Sequence, residues 1–178
     1  LCDLERAIRL VPGGKAGRKA IRPVGILGFS AGGHLCATAS TQFDPGDSHA
    51  VDPIDRVSSR PDFALLCYPV ISFVDEVHQG CIDNLLGPDA DEGARRAMSA
   101  EVNVTPETPP TFIWHTVEDQ AVPVGHALAY ARALGNAGVP YALHVFPEGR
   151  HGLGLADAHP AGAWTALAAA WLRELPIS

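Results

Sequence analysis

The sequence predicts an open, mostly parallel α/β sheet with helices on both faces. Short aliphatic runs recur between polar loops, amphipathic segments at helical spacing alternate with them, and glycine or proline marks nearly every junction. Alternation of strand and helix implies parallel strands joined by right-handed crossovers. The chain of 178 residues, 47% apolar and 19% charged, holds enough apolar material for one core and reads as a single domain over residues 1–178.

The elements follow in order. Leu4, Ala7, Ile8 and Val11 repeat at helical spacing after Asp3, a candidate N-cap, so Asp3 to Val11 is predicted to be a helix that Pro12-Gly13-Gly14 stops. Val24-Gly25-Ile26-Leu27-Gly28, aliphatic on both faces, fits a buried parallel strand, and a helix from about Gly33 to Thr41 should follow it. Phe63 to Tyr68, Thr111 to His115 and Tyr141 to Phe146 read as three further buried strands. Leu128, Ala131 and Leu134 share one face of a helix over Val124 to Ala137, ended by Gly138-Val139-Pro140. The last helix, Pro160 to Leu175, presents Trp164, Leu167, Ala168 and Trp171. Two irregular stretches interrupt the pattern, Phe43 to Arg60 and Ser72 to Pro110, the second with a short helix near Glu92 to Ala100. Insertions of this length commonly shape a binding site.

Composition removes several classes of function. Net charge is −7 and the 13 basic residues are scattered, which argues against a surface that tracks nucleic-acid phosphates. No apolar run approaches the roughly 20 residues of a membrane helix, so the chain is expected to be soluble and not membrane-bound. Its compartment stays open, because the sequence begins at Leu1 and enters an amphipathic segment at once, which reads as a cut amino end. Cys2, Cys36, Cys67 and Cys81 form no C-x-x-C, and Cys36 and Cys67 sit in apolar runs where a thiol packs as a small hydrophobe. There is no H-E-x-x-H, no P-loop and no G-x-G-x-x-G after a strand, so neither metal nor cofactor is implied.

Chemistry concentrates at three positions. Gly28-Phe29-Ser30-Ala31-Gly32 is a G-x-S-x-G match directly after one strand and before one helix, the context in which a sharp turn lifts a serine hydroxyl above a sheet. Glycine two residues either side of Ser30 would let the crowded backbone close. The turn would also offer the Ala31 backbone N–H to a developing oxyanion. A serine hydroxyl needs a base and a group to orient that base. Among eight histidines His151 stands out, because the loop Pro147 to Gly152 after the fourth strand can carry its imidazole over Ser30. His34, His115 and His144 are expected to be structural, and His49, His78, His126 and His159 to lie in loops or exposed turns. Asp119 follows the third strand, with Glu118 as its rival for the acid. Ser30, then the acid, then His151 is the chain order of the α/β-hydrolase triad, with all three at carboxyl ends of strands.

These residues resemble a known family, the serine esterases of the α/β-hydrolase fold, close to bacterial acetyl-xylan-esterase-like and feruloyl-esterase-like enzymes. The likeness rests on Gly28 to Leu35, Arg60-Pro61-Asp62-Phe63 with Tyr68-Pro69-Val70, Thr108 to Thr116 with Val122-Pro123-Val124, and His144 to Leu155. It implies Ser30 as nucleophile, His151 as base and Asp119 as acid, since the D-x-x-V-P spacing fits Asp119 and not Glu118. It also implies small acyl esters as substrates, often acetyl groups on plant polysaccharides. Such enzymes carry further strands and an H-G-G-G-like loop upstream of the nucleophile, and here only about two dozen residues precede that strand. The chain therefore reads as a carboxyl-terminal part of the fold, an incomplete domain without the amino-terminal strands. Its nucleophile strand is then expected to present an open edge at which two copies can pair. The rival functions are a serine peptidase of the prolyl-oligopeptidase kind, which G-x-S-x-G-G and a late H-G also suit, and a non-catalytic piece of the fold.

Overall fold

The structure, a computed structural model, describes residues 1–13 and 23–176. Ten helices and strands follow one another along these residues: α1 (Cys2–Gly13), β1 (Gly25–Phe29), α2 (Ala31–Thr41), β2 (Phe63–Cys67), α3 (Gln79–Leu86), α4 (Glu92–Ala97), β3 (Thr111–Thr116), α5 (Gly125–Asn136), β4 (Tyr141–Phe146) and α6 (Trp164–Glu174). Short 3-10 turns lie at Pro53–Arg56, Ala100–Val102 and Pro160–Ala163.

The four strands form one sheet in the order β1-β2-β3-β4, and every pair is parallel. Registers such as Leu27 opposite Leu65 and Leu65 opposite Phe112 place like positions of neighbouring strands on a common face. Alternation then divides the core in two. Ile26, Ala64, Leu66 and Ile113 meet Ile8 of α1, Cys36 and Ala37 of α2, and Tyr130 and Leu134 of α5. Leu65, Cys67, Phe112 and Trp114 meet Trp164 and Ala168 of α6 on the other side. This is the predicted layering.

Several expectations are corrected. Helix α1 begins at Cys2, so Asp3 lies inside the first turn and does not cap it. Its predicted stop reaches Gly14, which lies outside the described residues. Strand β4 is half-buried rather than buried, because it ends the row of strands, and Tyr141 and Val145 face solvent. Helix α3 falls inside a stretch expected to be irregular; His78 caps it by accepting the Cys81 N–H at 3.1 Å, and Ile82 is its buried anchor.

The two long insertions serve different ends. Residues 43–60 are clamped to α1: Arg9 donates to the Val57 carbonyl at 2.8 Å, and Arg6 pairs with Asp52 at 2.6 Å and Asp55 at 3.2 Å. The second insertion builds a small core from Phe73 and Ile82, joined by Val70 and Val122. It stands over the start of α2, beside the carboxyl ends of the strands.

Candidate active site

Ser30 sits between β1 and α2 with φ 53°, a left-handed conformation that costs a non-glycine residue energy and is held only where the surroundings over-determine it. The surroundings here are β2 and its exit. The Ser30 N–H donates to the Cys67 carbonyl at 3.0 Å, and the Ser30 carbonyl accepts from Val70 and from His34, each at 3.2 Å. The crowding that demands glycine is not placed as expected. A Cβ on Gly28 would lie 2.1 Å from the Gly32 carbonyl oxygen, and one on Gly33 would lie 2.7 Å from Pro69 Cβ, whereas Gly32 itself has open space. Gly28 and Gly33 are therefore the glycines that let strand, turn and helix close.

Asp119 follows β3 on the loop that leads into α5. Its carboxylate is buried, and Oδ1 accepts the backbone N–H groups of Ala121 at 3.0 Å and Val122 at 2.9 Å, which fix its direction. Oδ2 accepts from His151 Nδ1 at 2.6 Å, and His151 Nε2 lies 2.7 Å from Ser30 Oγ. The structure thus brings Ser30, His151 and Asp119, spread over 122 positions of sequence, into one hydrogen-bonded chain. Ala31 opens α2, so its N–H has no acceptor within the helix. Glu118, the rival acid, instead accepts the Gly149 N–H at 3.1 Å on the loop that carries His151.

The remaining histidines separate cleanly. His34 is buried, stacks on Phe73 with ring centroids 4.6 Å apart, and pairs through Nε2 with the Met98 carbonyl at 2.8 Å; burial lowers its pKa. His115 pairs through Nε2 with the Val122 carbonyl at 2.9 Å and stands 3.4 Å from Asp119 Oδ2, with its pKa lowered by burial. His144 packs against Phe112. His78 and His159 cap helical turns. His126 departs from expectation: it is buried on α5, and its Nδ1 accepts the N–H groups of Ile71 and Ser72, each at 3.0 Å. Cys36 and Cys67 are buried and their thiols are pushed up to about 11 and about 12 by burial, so both remain protonated and inert near neutral pH.

A cavity of about 620 Å³ opens beside α2, walled by Ala31, Leu35, Phe73, Leu85 and Met98. Its wall is largely apolar and is shared between α2 and the second insertion. Among the described residues no cluster of three or more His, Cys, Asp or Glu is arranged to hold a metal ion. No helix among them is long and apolar enough to cross a membrane.

A parallel sheet whose first strand turns through a strained serine into a helix, with an acid and a histidine supplied from loops after later strands, defines an α/β-hydrolase. The chain has that fold, and it superposes on the acetyl ester-xyloside bifunctional hydrolase of Caldicellulosiruptor lactoaceticus with a TM-score of 0.92 and 46% identity, over 97% of this chain and 64% of that one. More narrowly, the model of the prolyl oligopeptidase family matches residues 79–175, which hold Asp119 and His151. The chain belongs to that family. It is 34% identical over 158 residues to an acetylxylan esterase of Xylanibacter ruminicola, covering 85% of this chain and 30% of that protein. It is 35% identical over 168 residues to endo-1,4-beta-xylanase B of Butyrivibrio fibrisolvens, covering 92% of this chain and 26% of that protein. The chain thus spans between a quarter and a third of the curated relatives it matches.

Proposed function

We propose that this chain carries the nucleophile, base and acid of a serine carboxylic-ester hydrolase acting on small acyl esters, with acetyl groups on plant polysaccharide as the favoured class. The observation that carries the reading is the unbroken hydrogen-bonded chain from Ser30 through His151 to Asp119. The similarity to an acetylxylan esterase and to an acetyl ester-xyloside hydrolase supports the substrate class.

Each step uses an atom already in place. Ser30 Oγ attacks the ester carbonyl carbon while His151 Nε2 takes its proton, and Asp119 Oδ2 stabilises the imidazolium through Nδ1–H. The carbonyl oxygen becomes an oxyanion that accepts the Ala31 N–H, aided by the positive end of α2. Collapse expels the alcohol, which receives the proton from His151 and leaves an acyl-serine. Water, deprotonated by the same imidazole, then releases the carboxylic acid and restores Ser30. The apolar cavity beside Ala31 gives the organic part of the ester a wall to lie against.

The test is reaction with a fluorophosphonate probe, which requires an activated serine. S30A is expected to abolish labelling, and D119N to slow it far more than E118Q, because the wrong imidazole tautomer costs on the order of 10⁴-fold in serine proteases. Equal labelling of S30A, or the reverse ranking of the two acids, overturns the assignment. Membership of the prolyl oligopeptidase family favours a second reading, a serine peptidase using the same three residues. Preference for dipeptide amides over aryl acetates would select it.

A further inference from the structure

His151 rides on a loop that does not hold itself in shape. Residues 147–159 contain five positions with positive φ, Gly149 (132°), Gly152 (78°), Gly154 (62°), Ala156 (57°) and Ala158 (60°), and the two alanines pay for theirs. The loop carries no regular structure between β4 and the turn at Pro160. A base that must stand 2.7 Å from one atom and 2.6 Å from another therefore needs support from outside its own segment.

That support is concentrated on two glycine residues. At Gly149, the carbonyl accepts the Thr116 hydroxyl at 2.8 Å and the N–H donates to Glu118 Oε2 at 3.1 Å. At Gly154, the N–H donates to the Tyr68 hydroxyl at 2.9 Å and the carbonyl accepts Trp164 Nε1–H at 3.2 Å. Each glycine is thus held through both its N–H and its carbonyl, one two residues before His151 and the other three residues after it. The side chains that hold them come from β3 and the loop after it, from the exit of β2 and from the start of α6. Glycine is favoured at the first position by its φ of 132°, and a Cβ there would also crowd Leu153 Cδ1 at 2.8 Å and Thr116 Cγ2 at 2.9 Å. Tyr68 does more than hold the backbone: its ring stands edge-on to the His151 imidazole with centroids 5.0 Å apart, and its own φ of 38° shows that it is held under strain.

We propose that this double bracket on Gly149 and Gly154 sets the position of the His151 imidazole between Ser30 and Asp119, with Thr116 and Tyr68 as its principal positioning residues. The inference rests on the proposed role of His151 as base. Thr116, Tyr68 and Trp164 are buried, so their bonds have no easy replacement by water, whereas Glu118 is exposed and water can take its place on the Gly149 N–H. Loss of either buried hydroxyl leaves one backbone group of a glycine unpaired and lets the loop relax.

The experiment uses the whole chain in two readouts. The first is the far-downfield proton resonance of His151 Nδ1–H, which reports the bond to Asp119 and requires no turnover. The second is the rate of fluorophosphonate labelling, measured well below the unfolding temperature of every variant. T116V and Y68F are expected to broaden or abolish the resonance and to slow labelling by ~10- to 100-fold, the size associated with a misplacement of about 1 Å. T116S, which keeps the hydroxyl, is expected to retain both signals, and E118A to lose the least. S30A is expected to keep the resonance while losing all labelling. That separates a failure of the bracket from a failure of the proposed activity, since an intact resonance without labelling in the parent chain counts only against the latter. An unchanged resonance in both T116V and Y68F overturns the bracket, as does its absence from the parent chain.

Discussion

His126 is a histidine that cannot readily be charged where it sits. Burial drives its pKa down from about 6.5 to about 4, and a proton on Nδ1 would point at the two backbone N–H groups that Nδ1 now accepts. Because the folded value lies below the unfolded one, the unfolded chain binds more protons between these two values. The contribution of His126 to stability is therefore full above pH 6.5 and is lost as pH drops toward 4, by roughly 3 kcal/mol. His34 and His115, lowered by burial as well, act with the same sign. Urea unfolding at pH 7 and pH 4.5 is expected to show the loss, and H126N, which keeps an acceptor without a titrating group, to reduce it; equal slopes for the two chains would remove His126 from the account. Sequence alone does not reveal this residue, because the amides it accepts from lie 54 and 55 positions away. The convergence of Ser30, Asp119 and His151 is legible in the sequence because each follows a strand with its own local pattern. The contacts of Tyr68, Thr116 and Trp164 are not, since they are tertiary bonds to backbone groups with no side-chain signature.

At the scale of elements, the boundaries that sequence predicts well are those fixed by hard sterics. The four strands fall within one or two residues of expectation because aliphatic runs of this length between glycine and proline leave few alternatives. Helix α3 leaves little trace in the sequence because its apolar residues, Cys81, Ile82, Leu85 and Leu86, occupy only two turns, and its start depends on a histidine cap. The strand-to-helix turn at Ser30 shows how far a motif can mislead about its own glycines. G28A is expected to destabilise the fold by several kcal/mol or prevent folding, because its methyl would meet the Gly32 carbonyl, which is backbone and cannot swing away. G32A, with nothing within 4 Å, is expected to leave the midpoint of thermal unfolding nearly unchanged or to raise it slightly through the higher helix propensity of alanine. Calorimetry on the two variants checks the ranking, and equal destabilisation would show that the motif needs both glycines after all.

At the scale of the molecule, the sheet ends on a strand with no neighbour on its outer side among the described residues. That strand is β1, which carries the turn to Ser30. Its residues, Gly25 to Phe29, include no charge, and Leu27 is about half-exposed at 48%. Helix α1 contributes Ile8 to one face of the sheet, and a helix on a face does not satisfy edge N–H and C=O groups. Natural edges are blunted by charge, proline or a bulge, and β1 has none of these. The expected outcome is that this chain, expressed as residues 1–178, associates through β1. Light scattering across a range of concentrations should give a mass that rises from one copy toward two or more. L27K places a cation beside the edge without touching the core of the fold, and it is expected to shift the chain back toward one copy. A single-copy mass for the parent chain at every concentration, with the same thermal unfolding as L27K, would mean that the edge is protected in solution.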